Sequence, residues 1–439
     1  MARVGSGPGY WLLRQMILSS DIFGEDKIRL TAFLKSSTEA FAFGMMESCV
    51  LTINGGSSSI KFALYRAEEA QTCLLSGKLE RIGLADAQFK ANVPGEEREE
   101  RPVDAPDHLA AGALVIDWIE KKVGFAAVRG IGHRVVHGGS QYSEPQRVTP
   151  PLLTELRRLK PYDPEHLPSE IQLIKLFRRR YPKLPQVVCF DTSFHRAMPR
   201  VARILPIPRR FESRGIERYG FHGLSYAYLI EELGRVAGPQ AAQGRVVLAH
   251  LGNGASLAAV RGGRSIDTSM GFTPTAGVPM SSRSGDLDPG LVWYLARTEH
   301  ITAKQFHVMV NHESGLLGIS ETSPDMRDLL AREGEDVRAA EAVALFCYQL
   351  KKWIGGFAAA LGGLETLVFA GGIGENAAAV RARICQGLEF LGVQLDESLN
   401  NAHAAVISPE TSPVTVRVIR TNEEVMIAKA ACRVLGLAM

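Results

Sequence analysis

The sequence predicts an α/β protein built from two similar domains, and three observations carry that reading. At 439 residues the chain exceeds what one simple core accommodates, so two domains are the default. Apolar strand patterns alternate with helical ones, as in layered α/β folds. One strand–turn–strand plan also occurs twice, at Val50 to Tyr65 (VLTINGGSSSIKFALY) and at Arg245 to Val260 (RVVLAHLGNGASLAAV). The interval between the copies is too long for a solenoid repeat and suits two domains that each open with the same hairpin.

In order along the chain, residues 1–46 differ from the remainder. They lack a proper apolar core segment and a small-residue cleavage site, so a secretory signal is not expected. Two arginines and no acid before Asp21 leave a weak transit-peptide reading. Met45 and Met46 precede the first strong strand, so an extension or misplaced start is the plainer expectation. After the first hairpin come the strand VRGIGHRVVHGG, the helix SEIQLIKLFRRRY and the strand QVVCFDTSF. Beyond Pro289 the chain turns helix-rich, through LVWYLARTEHITAKQFHVMVNHE and AAEAVALFCYQLKKWIGGFAAAL. It then returns to a strand and Gly-rich turn, TLVFAGGIGEN, and closes with strand VTVRVI and helix EEVMIAKAACRVLGL. Pro and Gly cluster near 143–168 and 271–290, and both runs read as functional loops.

Composition excludes several classes. With 46% hydrophobic and 22% charged residues the chain is an ordinary globular protein, and no run approaches the length of a membrane span. A formal charge of +3 gives no basis for nucleic-acid binding, and the most basic run, Arg178 to Lys183, reads as a solvated helix end. Six scattered cysteines without a CxxC pair suit thiols in a reducing cytoplasm better than disulfides or zinc.

Four elements point to chemistry. In Asn54 to Lys61 (NGGSSSIK) three consecutive hydroxyls, with the backbone amides of a tight turn, suit an anion such as phosphate, and Lys61 adds a point charge; a plain polar hairpin is the rival reading. The spacing is not that of a P-loop. Gly371-Gly372-Ile373-Gly374 follows a strand and opens a helix near Glu375-Asn376, where free amides favour anions; it lacks the dinucleotide fingerprint. Arg134 and Arg283 are each bracketed by turn residues, which places them in loops, and a guanidinium fork matches carboxylate and phosphoryl oxygens. His222 in RYGFHG and His250 in AHLGNG are further donors of a similar kind. In Thr421-Asn422-Glu423-Glu424, Thr421 can cap a helix with Glu424 as its capping-box partner, leaving Glu423 free for a hard divalent ion.

TINGGSSSIKF, GHRVVHGG, FDTSFH, IERYGFHG, HLGNGAS, IDTSMGFTP, SRSGDLDP, SGLLGIS, PDMRD, GGIGEN and TNEE occur in the order found in acetate kinases, and residues 48 to 439 resemble that family throughout. The resemblance implies two duplicated actin/hsp70/sugar-kinase-like (ribonuclease H-like) domains with the active site in the cleft between them. The implied boundaries are 47–192 plus 425–439 for the N-terminal domain and 193–424 for the nucleotide-binding, dimer-forming C-terminal domain. It also implies a cytoplasmic homodimer, no nucleic acid or membrane partner, and the reversible reaction of ATP and acetate to ADP and acetyl phosphate, with Mg²⁺ or alternatively Mn²⁺. By matching motifs, Asn54 and Glu423 are implied as metal contacts. Lys61, His250, Leu251, Gly252, Asn253, Gly254, Asp325, Met326, Arg327, Gly372, Ile373, Gly374, Glu375 and Asn376 are implied at ATP. Arg134 matches the carboxylate-binding arginine, with Val136, Phe221, Pro274 and the position of Tyr162 around the acyl group. His222 and Arg283 match transition-state stabilisers, and Asp191 matches a residue often labelled proton donor or acceptor. A carboxylate nucleophile is already ionised at neutral pH, so no base is needed; Asp191 is expected to order metal waters or to orient Arg134.

The chain departs from the family at one loop. Many relatives carry a PLHNPxN-type segment where this chain has Pro161-Tyr162-Asp163-Pro164-Glu165-His166-Leu167-Pro168. Asp163 replaces the first histidine and Tyr162 an acyl-pocket leucine. Asp163 is expected to turn away or bridge to an arginine, with His166 in the vacated role. Tyr226 replaces a frequent histidine. Propionate is the nearest alternative substrate. A catalytically inactive nucleotide-binding sensor on the same fold and a metallohydrolase are rivals of other classes; retention of Asn54, Arg134, His222, Arg283 and Glu423 speaks against the first, and no ligand spacing supports the second.

Overall fold

The computed structural model describes residues 48–68 and 72–437, so the extension expected over 1–46 lies outside the described residues. The first hairpin forms as the pattern predicts. β1 (Cys49–Gly55) is buried along its whole length and pairs antiparallel with β2 (Ser59–Arg66), Asn54 facing Lys61. β3 (Cys73–Glu80), β4 (Gln88–Asn92) and β5 (Glu99–Pro102) extend the sheet antiparallel on that side. After the helix His108–Lys122 the chain crosses to the other side of β1, where β6 (Val128–Val135) pairs parallel to it. β7 (Gln146–Arg147) forms the edge, and β8 (Gln186–Phe190) pairs parallel to β6 after the helix Leu167–Arg180.

The second sheet repeats this plan. β9 (Arg245–Leu251), β10 (Ala255–Arg261) and β11 (Arg264–Thr268) run antiparallel, while β12 (Thr366–Ala370) and β13 (Thr415–Val418) add parallel to β9 on its other side. The order β11-β10-β9-β12-β13 therefore matches β3-β2-β1-β6-β8 strand for strand. The duplication inferred from two hairpins holds for five strands in each half.

Two helices cover the sheets, and the second of them joins the halves. Val337–Leu361, capped by Asp336, lays Phe346, Leu350, Ile354 and Phe357 into the core of the second sheet. The last helix, Glu423–Leu435, returns to the first sheet, where Ile427, Ala431 and Cys432 join Val50, Val187 and Cys189. That approach requires glycine on β6: a Cβ at Gly130 would lie 2.2 Å from Leu435, and one at Gly132 2.5 Å from Ile427.

Four local expectations are corrected. Arg134 sits within β6, not in a loop, because the strand continues to Val135 before its glycines begin. The 143–168 run contains a helix, Pro150–Arg158, which Thr149 caps and which begins with proline, where the missing N–H costs nothing. The helix after β12 begins at Gly371 itself. The last helix is capped by Asn422, whose side chain accepts from Val425 N, and not by Thr421; Glu424 is therefore no capping-box partner. Arg178 to Arg180 do form the last turn of a helix, as expected. Among the described residues no disulfide forms, and no helix is long and apolar enough to cross a membrane.

Candidate active site

A cleft of about 820 Å³ opens between the two hairpin turns. Asn54, Ser59 and Lys61 line it from the first half, and Gly252, Asn253 and Gly254 from the second. Asp325, Met326, Arg327, Gly372, Ile373, Glu375, Asn376, Thr421 and Glu423 also line it. Leu251 and Gly374 belong to the expected set but are buried behind the wall and do not line it. Glu80, Leu330 and Ala377, which sequence reasoning did not single out, line it too, as does Thr421, which was expected only as a helix cap.

The cleft continues into a smaller pocket of about 180 Å³. Gly56 to Ser59, Arg134, Val136, Asp191, Phe221, His222, Pro274 and Arg283 line it, together with His166. Arg134, His222, Asn253 and Gly254 border both spaces. Tyr162 is not among the pocket's walls. Its hydroxyl donates to Arg214 O (2.8 Å), which holds it beside a separate cavity of about 440 Å³.

Arg134 reaches the small pocket from β6 and is held there by Asp191 and Gly55. Asp191, at the end of β8, accepts from Nη2 (2.6 Å) and from Nε (3.1 and 3.2 Å), and Gly55 O accepts from Nη1 (2.8 Å). Glu170, which sequence reasoning did not single out, lies 3.5 Å from Nη1 while its carboxylate accepts from Val136 N. Burial pushes Glu170 up to about 8 against the pull of Arg134. Burial also pushes Asp191 up, with Arg134 opposing it and the Glu423 charge adding to it. For Arg134 burial works downward, but the Asp191 and Glu170 carboxylates outweigh it and hold the guanidinium above its usual range.

Across the pocket stand two stacked imidazoles, His222 and His250, 4.4 Å apart. His222 has a left-handed backbone (φ 58°) ahead of the helix Gly223–Ala237. Its Nδ1 meets Ser256 Oγ at 2.9 Å, and Ser256 in turn bonds Tyr226, so the Tyr226 departure completes a buried relay behind His222. His250 Nδ1 meets Ser225 Oγ (2.8 Å), which bonds Thr421. Burial first, then His250 and the Arg134 and Arg283 cations, hold His222 well below an ordinary histidine; burial brings His250 to about 4. Both rings are neutral at neutral pH. Gly254 allows the convergence, since a Cβ there would meet His222 Nε2 at 3.3 Å and Arg283 Nη1 at 3.6 Å.

Arg283 does lie in an irregular loop, as expected. Nη1 donates to Pro274 O (3.3 Å), and Nη2 lies 3.4 Å from His166 Nε2. Asp163 is not bridged to an arginine: it accepts from His166 N (3.0 Å) and His166 Nδ1 (2.9 Å), because its own loop turns those donors back onto it. Next to it Glu165 joins His307 (3.0 Å) and His312 (2.9 Å) of the second half.

At the base of the cleft, Asn54 Nδ2 donates to Glu423 (2.8 Å) and to Glu424 (3.0 Å). Glu424 also gives the largest upward push on the Lys61 ammonium. The donors are hard oxygens, and among the described residues no group of three His, Cys, Asp or Glu residues could hold a metal ion. Such a sparse set fits Mg²⁺, which binds through one or two carboxylates plus substrate phosphates and keeps its waters.

The model of the Acetokinase family matches residues 49–429. An acetate kinase from Methylocella silvestris is 44% identical, over 88% of this chain and 97% of that protein. A propionate kinase from Citrobacter rodentium is 42% identical, over 89% of this chain and 97% of that protein. The crystal structure of Porphyromonas gingivalis acetate kinase superposes with a TM-score of 0.79 at 34% identity, over 88% of this chain and all of that one.

Proposed function

The chain belongs to the acetokinase family, and from that premise we propose that it transfers the γ-phosphoryl group of ATP to acetate, reversibly, giving ADP and acetyl phosphate. One observation carries the reading: a cleft large enough for a nucleotide ends in a small pocket ringed by Arg134, His222 and Arg283, with apolar Val136, Phe221 and Pro274 behind. The ring of donors suits two anions that must meet, and the small volume suits an acid of few carbons. We divide the chain at 192/193 and 424/425, a division supported by the return of the last helix to the first sheet.

The chemistry is positioning and electrostatics. The acid arrives ionised, so no proton is removed from it. Asp191 has both oxygens turned to Arg134 and acts by aiming that guanidinium at the substrate carboxylate. His222, neutral and fixed through Nδ1, offers Nε2–H to the phosphoryl oxygens, with Tyr226 donating to Ser256 and Ser256 to Nδ1. Arg283 brings positive charge to the same place. Glu423 and Asn54 would hold Mg²⁺, or Mn²⁺, which when bound neutralises charge on the nucleotide phosphates. Lys61, the glycine turns and the Asp325 to Arg327 segment take the nucleotide.

Propionate is the second reading, favoured by the similarity to a propionate kinase. One methylene in an apolar pocket is worth only about 1–3 kcal/mol. We further propose a cytoplasmic homodimer. The helix Gly290–Thr298 has no buried residue and presents Trp293 and Tyr294, 69% and 60% exposed, which a second copy would cover. Trapping of acyl phosphate from ATP with acetate, propionate, butyrate and formate tests the reaction. Turnover is expected with acetate or propionate, and absence of turnover with every acid removes it.

A further inference from the structure

Arg283 and His166 come from opposite halves of the chain and meet at the small pocket, 3.4 Å apart. The contact is between a guanidinium N–H and an imidazole nitrogen, so the protonation of the ring decides its nature. Asp163 fixes that protonation. Its carboxylate is buried and faces donors: His166 N and Nδ1, and Glu165 N at 3.2 Å. Burial pushes the Asp163 carboxyl up, yet the His166 hydrogen bonds outweigh it and keep the group below its ordinary range, hence ionised. An ionised acceptor requires the proton on Nδ1, and a neutral ring protonated there carries its lone pair on Nε2. Nε2 faces an Arg283 N–H, a geometry that suits a lone pair there and not a second proton.

We propose that His166, held in this tautomer by Asp163, is a positioning residue for Arg283. It accepts one guanidinium N–H without neutralising the cation, so the fork stays aimed at the pocket with its charge available to the phosphoryl group. The proposal rests on the reading of Arg283 as a phosphoryl-facing group. It also narrows the expectation that His166 fills the vacated role, because an Nε2 lone pair turned to Arg283 accepts and does not donate. The negative charge of Asp163 acts at one remove, which offsets part of the burial cost of Arg283 without closing an ion pair on it.

Two substitutions and one spectrum test this. His166→Leu removes the acceptor and is expected to lower kcat by about 100-fold, with the KM for ATP nearly unchanged. His166→Gln offers an amide oxygen near the place of Nε2 and is expected to restore most of that loss. In the resting protein, long-range ¹H–¹⁵N NMR of His166 is expected to show the Nδ1–H tautomer. If the glutamine variant, folded and equally stable, is as impaired as the leucine variant, the acceptor role is wrong. A leucine variant altered only in its KM for the acid overturns it too. An Nε2–H tautomer or an imidazolium overturns it whatever the turnover, whereas a wild-type protein inactive toward every acid with the Nδ1–H tautomer present would sink the kinase reading instead.

Discussion

The two arginines that border the small pocket are held in opposite ways. Arg134 projects from a buried strand onto the Asp191 carboxylate, with Glu170 beside it, and its charge is met within its own half of the chain. Arg283 hangs on an irregular loop, and its modest partners are a carbonyl, a methionine sulfur and an imidazole nitrogen. Burial works against both cations; at Arg134 the carboxylates win, and at Arg283 burial wins and lowers it. A cation already paired is a template, rigid and well placed to orient an incoming carboxylate. A cation left without a direct carboxylate is a source of field where charge changes during reaction.

Removing Arg283 puts that contrast to its severest test. In Arg283→Ala, kcat is expected to fall by about a thousand-fold or more while the KM for ATP moves little. A change confined to KM would make Arg283 a binding residue like its counterpart. Asp191→Asn comes next and probes the other side: with Arg134 no longer clamped, the KM for the acid is expected to rise about ten-fold. A loss of kcat alone, with acid KM and Mg²⁺ dependence unchanged, would contradict the orienting role. Glu170→Gln should have the smallest effect, on stability. Because the folded Glu170 sits near 8, above its ordinary 4.5, its contribution is fully present below about 4.5 and is lost as pH rises through 8. Thermal melts of the native protein should therefore fall more steeply between pH 5 and 8 than those of the glutamine variant. Parallel profiles would mean that Glu170 stays ionised beside Arg134.

Much of this arrangement is legible from residues alone, and the parts that are not share a cause. The paired hairpins declare themselves through local pattern, since apolar strands flank small-residue turns at Asn54 and at Asn253. The Arg283 loop is equally local, being written in its glycines and prolines. Glu170 gives no such signal: within its own helix it is an ordinary first-turn acid, and only the packing of that helix beside β6 brings it to Val136 N. Glu424 misleads for a related reason. Thr421 and Glu424 have capping-box spacing, but the cap falls one residue later, which frees Thr421 for Ser225 and Glu424 for Asn54. Asp163 has the charge to seek an arginine, yet a histidine three residues on lies closer at hand.

The return of Glu423–Leu435 to the first sheet has a consequence for biosynthesis. The half of the molecule that leaves the ribosome first cannot cover the face of β1, β6 and β8 until the last helix has been made. Its apolar strands must wait, exposed or chaperoned, while the entire second sheet is translated and free to fold. The same thirteen residues then deliver Glu423 to the cleft. A chain without that helix would lack both the cover of its first core and the Glu423 wall of the cleft.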